Sequence, residues 1–265
     1  MSLRTLIPVL VIVLLYPFRT PFAKPTPSPV EIPAGHGVSQ IGFDLAEAGI
    51  VSSSFAFKMS AKLLGADSEL KAGRYVFGQP TPIWDVVGRL EAGDFGTKQI
   101  KVTVPEGYTN AQISELLGKS IGDSDQGYLF PDTYFFDEFA TAEEIRVAMR
   151  ANFDEKVAST SLENLIMASI LEEEVRNKEE MQIVAGILYK RLDLGMPLQV
   201  DSVPSTYESR GLPALPVSNP GLQAIDAAKN PIVSSYLYYL SGTDGLTHYA
   251  KTFEEHKLNK SRYLR

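Results

Sequence analysis

The sequence predicts an α+β fold, and three observations point to it. Short strand-like runs alternate with amphipathic helices from Val30 to Lys119, longer helical stretches follow from Tyr128 onward, and an apolar run with a chain of prolines precedes both. The expected organisation is a membrane anchor or signal segment over residues 1–24, a Pro-rich linker over 25–29, a strand–helix subdomain over 30–120 and a mixed helix and strand domain over 121–265. With 265 residues, 44% of them hydrophobic, the chain can bury one large core or two modest ones.

The first element is the charge-free run from Leu6 to Phe18, flanked by Arg4 and Arg19. A full membrane span needs about 20 apolar residues, and a run of about 10–14 resembles a signal-peptide core. No small-x-small cleavage site stands out around Ala23, so a retained short anchor and a removed signal both fit, and either implies export. Pro17, Pro21, Pro25, Pro27, Pro29 and Pro33 then read as an extended spacer.

Two segments echo each other. "IPAGHGVSQIGFDLAEAGI" and "VPEGYTNAQISELLGKSI" share Pro33/Pro105, Gly35/Gly107, Ile41/Ile113 and Leu45/Leu117 at one offset. Each reads as a strand, a Pro-x-Gly turn and an amphipathic helix. Between them, Tyr75 to Phe77 predicts a strand and Pro82 to Glu91 a helix stopped by Gly93. Such strand–helix modules resemble LysM domains, which bind cell-wall glycan; a purely scaffolding role fits equally well.

From Tyr128 the "YLFPDTYFF" stretch predicts a packed aromatic turn, with a wall for sugar rings as the alternative. Thr141 with Glu144 caps a helix running to about Val157, and Leu162 to Val175 reads as a buried helix, apolar on nearly every side. Asn177 with Glu180 starts a third helix that Gly195 ends. The buried helix closes on Glu172, Glu173 and Glu174, where its dipole is already negative. An acid held there against burial and like charge stays protonated at higher pH, as a general acid must. A solvated helix end neutralised by Arg176 and Lys178 accounts for the same residues. At about 100° per residue, Glu172 and Glu174 lie about 200° apart and cannot share a face.

The stretch "MASILEEEVRNKEEMQIVAGILYKRLDLGMPLQVDS" resembles the signature of the endolytic murein transglycosylase family (MltG, or YceG-like). "FPDTY" before it and "GLP", "NPGLQAIDAAKNP", "YLYYL" and "THYAKTFEEH" after it are also similar, in the family's order, so the resemblance runs from about Val30 to the C-terminus. It implies a single-pass anchor in the cytoplasmic membrane, a LysM-like subdomain, and an extracytoplasmic domain that cuts peptidoglycan glycan strands. It further implies Glu174, the second acid of Glu-x-Glu, as the catalytic residue. Glu172, Gln199, Asp201, Asn219 and His248 are the implied substrate-binding companions, and peptidoglycan synthases the implied protein partners. No cofactor is called for. The segment from Asp201 to Gly211 is shorter than the family usually carries, with Thr206 and Tyr207 keeping the tail of its Tyr-Asn-Thr-Tyr element.

Composition narrows the alternatives. A net charge of −7 without clustered Lys and Arg disfavours nucleic acid as a partner. The absence of cysteine excludes disulfides, thiolate zinc sites and iron–sulfur clusters, and three histidines make a zinc peptidase improbable. No Gly-x-Ser-x-Gly elbow occurs. A non-catalytic glycan-binding or scaffold protein and a water-using muramidase remain beside the lytic transglycosylase, which needs only one acid because the substrate's own 6-hydroxyl is the nucleophile.

Overall fold

In the computed structural model, which describes residues 29–264, the chain is α+β as expected, with three small two-stranded sheets among the helices. It divides into two units, one reaching Gln99 and including Asp137–Phe139, the other formed by Ile100–Phe136 and the chain from Ala140 onward. The expected membrane segment and all of the Pro-rich linker but Pro29 lie outside the described residues. Among those described, no helix is long and apolar enough to cross a membrane.

The first unit runs β1 (Val30–Ile32), α1 (Val38–Glu47), α2 (Ser54–Leu64), β2 (Gly73–Tyr75) and α3 (Ile83–Ala92). β1 and β2 pair antiparallel, Val30 opposite Tyr75 and Ile32 opposite Gly73. Strand β2 ends at Tyr75, where the sequence suggested that a strand would begin. Tyr75 and Phe77 nonetheless both bury, with Ile41, Leu45, Phe57, Val87 and Leu90. Gly73 has to be glycine: its φ is +148° and an added Cβ would lie 2.2 Å from the Phe95 ring. The Ser53 hydroxyl accepts the Ala56 N–H at the start of α2, and α3 stops at the left-handed Gly93.

Next come β3 (Gln99–Thr103) and β4 (Thr133–Asp137), which pair with each other and, apart from Gln99 and Asp137, belong to the second unit. Helix α4 (Asn110–Leu117) opens on a capping box of Thr109 with Gln112, and α5 (Ala142–Lys156) on the expected box of Thr141 with Glu144. The second copy of the echoed pattern packs here: Val104, Ile113 and Ile121 bury with Leu129, Ile145 and Met149. The aromatic stretch is mainly a packed turn. Phe130 is buried, Tyr134 stacks on Phe136 and donates to the Phe130 carbonyl at 2.6 Å, and Phe135 alone among them stands well out.

Helix α6 (Leu162–Glu174) is the core of this unit, with every residue from Leu165 to Glu172 buried. Each Leu, Ile or Met so enclosed contributes about 1.5–3 kcal/mol. It packs against α7 (Lys178–Asp193) and α8 (Leu222–Lys229). The hairpin of β5 (Tyr238–Ser241) with β6 (Thr247–Ala250) and the terminal helix α9 (Phe253–Tyr263) complete the unit. Burial on every side fixes α6, so the acids at its C-terminal turn are held on a rigid element.

Candidate active site

The two outer acids of the Glu-Glu-Glu run point apart, as their helical spacing requires. Glu172 is 7% exposed and turns toward α8, where its Oε2 accepts the Gly221 N–H at 2.9 Å. An acid at the negative end of α6 thus sits at the positive end of α8, which accounts for its place in the sequence. The approach depends on Gly221, since a Cβ there would meet the Glu106 carboxylate at 1.8 Å. Burial raises the Glu172 pKa, with the Glu106 and Glu173 charges adding to it and the Gly221 bond opposing it. The folded state therefore holds this proton above the unfolded value, and stability declines as pH rises from about 4.5 through the folded pKa. Glu172→Gln should have a higher melting temperature than wild type at pH 7, and the gain should shrink toward pH 4. Parallel melting curves for the two proteins across that range check it.

Glu174 faces a different way, into a cleft of about 520 Å³. Its Oε1 accepts from the Ser202 N–H at 3.1 Å and the Ser202 hydroxyl at 2.9 Å, and its Oε2 from the Tyr239 hydroxyl at 3.1 Å. Three donors from two other elements therefore fix the carboxyl. A tyrosine hydroxyl can accept as well as donate, so the Tyr239 contact can persist with the proton on Glu174. Burial and the Glu174 charge push the Tyr239 pKa well above its ordinary value, keeping that hydroxyl protonated.

The loop carrying Ser202 is knitted locally. The buried Thr206 hydroxyl accepts the Val200 N–H at 3.0 Å and donates to the Val203 carbonyl at 2.6 Å. Gln199 holds a left-handed φ of +53°, an uncommon backbone state for a residue with a side chain, and its N–H donates to the Thr206 carbonyl at 3.1 Å. Its Oε1 accepts from Arg191 at 2.7 Å. Asp201 accepts the Tyr207 hydroxyl at 2.5 Å, a bond that raises the Tyr207 pKa to about 12. The short segment after Asp201 is thus closed on itself, and it still presents Gln199, Asp201 and Tyr207 to the cleft.

Of the expected site residues, the structure gathers Glu174, Gln199 and Asp201 around one cleft and sets the other three apart. Glu172 caps α8. Asn219 is fully buried with all its side-chain capacity engaged: Oδ1 accepts from Gly127 and Leu129, and Nδ2 donates to the Tyr108 carbonyl and Asn110. It has nothing left for a sugar and ties loops together instead. His248 is bonded to Asp244 at 2.9 Å and stacked on Tyr263 at 3.5 Å, also outside the cleft lining. Sequence reasoning missed Ser202, Tyr239 and Arg191. For Arg191 a signal was present: it follows Val184, Ile187 and Leu188 on the inward face of α7, where a charge is out of place.

The sequence model of the YceG-like family matches residues 30–204 and 205–262. Proteins named endolytic murein transglycosylase from Streptococcus pneumoniae serotype 2 and from Bacillus subtilis are each 27% identical to this chain over 89% of its length. The match covers 84% of the Bacillus protein but 58% of the streptococcal one, so the chain spans little more than half of the latter. The crystal structure of a YceG-like protein from Listeria monocytogenes aligns over 87% of this chain and 98% of its own, at 27% identity and a TM-score of 0.55.

Proposed function

The chain belongs to the YceG-like family, and on that footing we propose that it is a lytic transglycosylase that cuts within peptidoglycan strands, with Glu174 as general acid and then base. The observation that carries this reading is the setting of Glu174: a carboxyl at the end of a rigid buried helix, held by Ser202 and Tyr239, facing an open cleft. In the reaction Glu174 gives its proton to the oxygen between N-acetylmuramic acid and N-acetylglucosamine as the bond to C1 breaks. The muramic 6-hydroxyl then closes on C1, and Glu174 takes up the hydroxyl proton. The acid is regenerated, no water is consumed, and one carboxyl suffices.

One observation favours a second reading, a water-using muramidase: Asp201 lines the same cleft and could act as the second carboxylate of a paired-acid mechanism. Glu172 does not fill that role, because it faces α8. The first experiment is digestion of purified peptidoglycan by the wild-type chain. Soluble glycan fragments are expected; none from a folded protein would leave only a binding or scaffold role.

The first unit serves, in this account, as a LysM-like glycan-binding module, supported by its strand–helix–helix–strand order with β1 and β2 paired antiparallel. Residues 1–24 would hold the enzyme at the outer face of the cytoplasmic membrane, beside the synthases that make its substrate. The fragment 30–99 should then be retained on insoluble peptidoglycan above a control protein of similar charge. Equal retention would reduce the unit to a scaffold.

A further inference from the structure

We propose that Arg191 is the carboxylate-recognition residue of the cleft, binding an acidic substituent of the muramic sugar and so setting which bond of the strand lies over Glu174. The proposal rests on the peptidoglycan reading above and deepens it from the site to the register of its substrate.

Arg191 projects from the inward face of α7 and is 4% exposed. A buried charge is destabilising by several kcal/mol unless an opposite charge or a full set of hydrogen bonds compensates it. Arg191 has neither. Its Nε donates to the Pro197 carbonyl at 3.0 Å and its Nη2 to Gln199 Oε1 at 2.7 Å, both neutral acceptors, and no carboxylate pairs with it among the described residues. Of the three acids lining the cleft, Glu174 is held by Ser202 and Tyr239 and Asp201 by Tyr207, while the exposed Glu173 forms no ion pair with Arg191. Nη1 makes no hydrogen bond among the described residues, and Arg191 lines the cleft.

The surroundings suit an anion. The Tyr238 ring lies 5.4 Å from the guanidinium carbon and forms a wall. Lys260 adds a second positive charge, and His256 contributes a buried Nδ1 with no hydrogen-bond partner among the described residues. Guanidinium presents parallel N–H groups in a planar fork that matches a carboxylate. In a peptidoglycan strand the two alternating sugars differ at the 3-substituent, where muramic acid carries a lactyl ether. Its carboxyl is free on stripped strands and extended by a peptide, with carboxyls of its own, on stemmed ones. Recognition of the acid there would tell the two sugars apart and direct Glu174 to the bond at muramic C1.

The test measures binding to the full Glu174→Gln chain, which leaves the ligand uncut. The probes are a peptide-free tetrasaccharide of alternating N-acetylmuramic acid and N-acetylglucosamine, and the same compound with its lactyl groups as methyl esters. The free acid should bind about 10-fold or more tighter, with the ratio falling between about 0.05 and about 0.5 M salt. Adding Arg191→Met should bring the ratio to about one, and Arg191→Lys should restore part of it. Strands with stem peptides, free or amidated at their carboxyls, form the second arm; preference for the free form there alone assigns the carboxylate to the stem. Equal affinity of acid and neutral forms in both arms overturns the proposal, whether or not the Arg191 variants fold. Failure of the enzyme reading would show separately, as wild-type protein that prefers the acid but cuts no strand.

Discussion

Glu174→Gln should lose nearly all strand cleavage while keeping its fold. The amide is isosteric and still accepts from Ser202, while its NH₂ group can donate to the Tyr239 hydroxyl, so the local hydrogen bonds persist in altered form. Removing the charge relieves its conflict with the negative end of α6 and forfeits charge-assisted bonds, so stability should change by less than about 1 kcal/mol. An amide cannot give and then recover a proton, and the loss of general acid–base catalysis reduces the rate by about 10²–10⁴-fold. Glu173→Gln, on an exposed neighbour, should keep near wild-type activity. Fragment release from peptidoglycan together with thermal unfolding checks both variants. A fully active Glu174→Gln enzyme would move the role to another acid of the cleft, Asp201 or Glu173.

The second large effect falls on stability. Asn219→Ala removes two acceptor bonds, from Gly127 N–H at 2.7 Å and Leu129 N–H at 3.0 Å, and two donor bonds, to the Tyr108 carbonyl at 2.8 Å and Asn110 at 3.0 Å. Each buried group left without a partner is destabilising by about 1–3 kcal/mol, and a net loss of about 3–5 kcal/mol is expected. Urea unfolding measures it directly. Unchanged stability with weakened glycan affinity would instead return Asn219 to the substrate-binding set.

What could be read from the sequence was what local chemistry dictates. Thr141 with Glu144, Asn177 as the cap of α7, and the glycine stops at Gly93 and Gly195 are one-turn signals, and the helices begin and end beside them. The apolar run before Glu172 fixed α6 as a buried helix, and helical spacing alone separated Glu172 from Glu174. The pairing of Val30–Ile32 with Gly73–Tyr75 was not legible, because it joins short strands across two helices and is set by a shared core. The polar companions divided for a related reason. Asn219 and Gln199 are equally polar in sequence, but one is enclosed by the loops around Gly127 and Tyr108 and the other is turned into the cleft by a left-handed backbone. Burial of a polar side chain is a tertiary property, so Ser202 and Tyr239, which fix the acid, became visible only once α6, the 199–207 loop and β5 were brought together.

The central claim is that Glu174 serves the substrate's own hydroxyl and not a water molecule. Mass analysis of the glycan ends released from purified peptidoglycan by the wild-type enzyme tests it most directly. The account predicts 1,6-anhydro-N-acetylmuramic ends, lighter by one water than the hydrolytic product; reducing muramic ends would contradict it and show that water is the nucleophile.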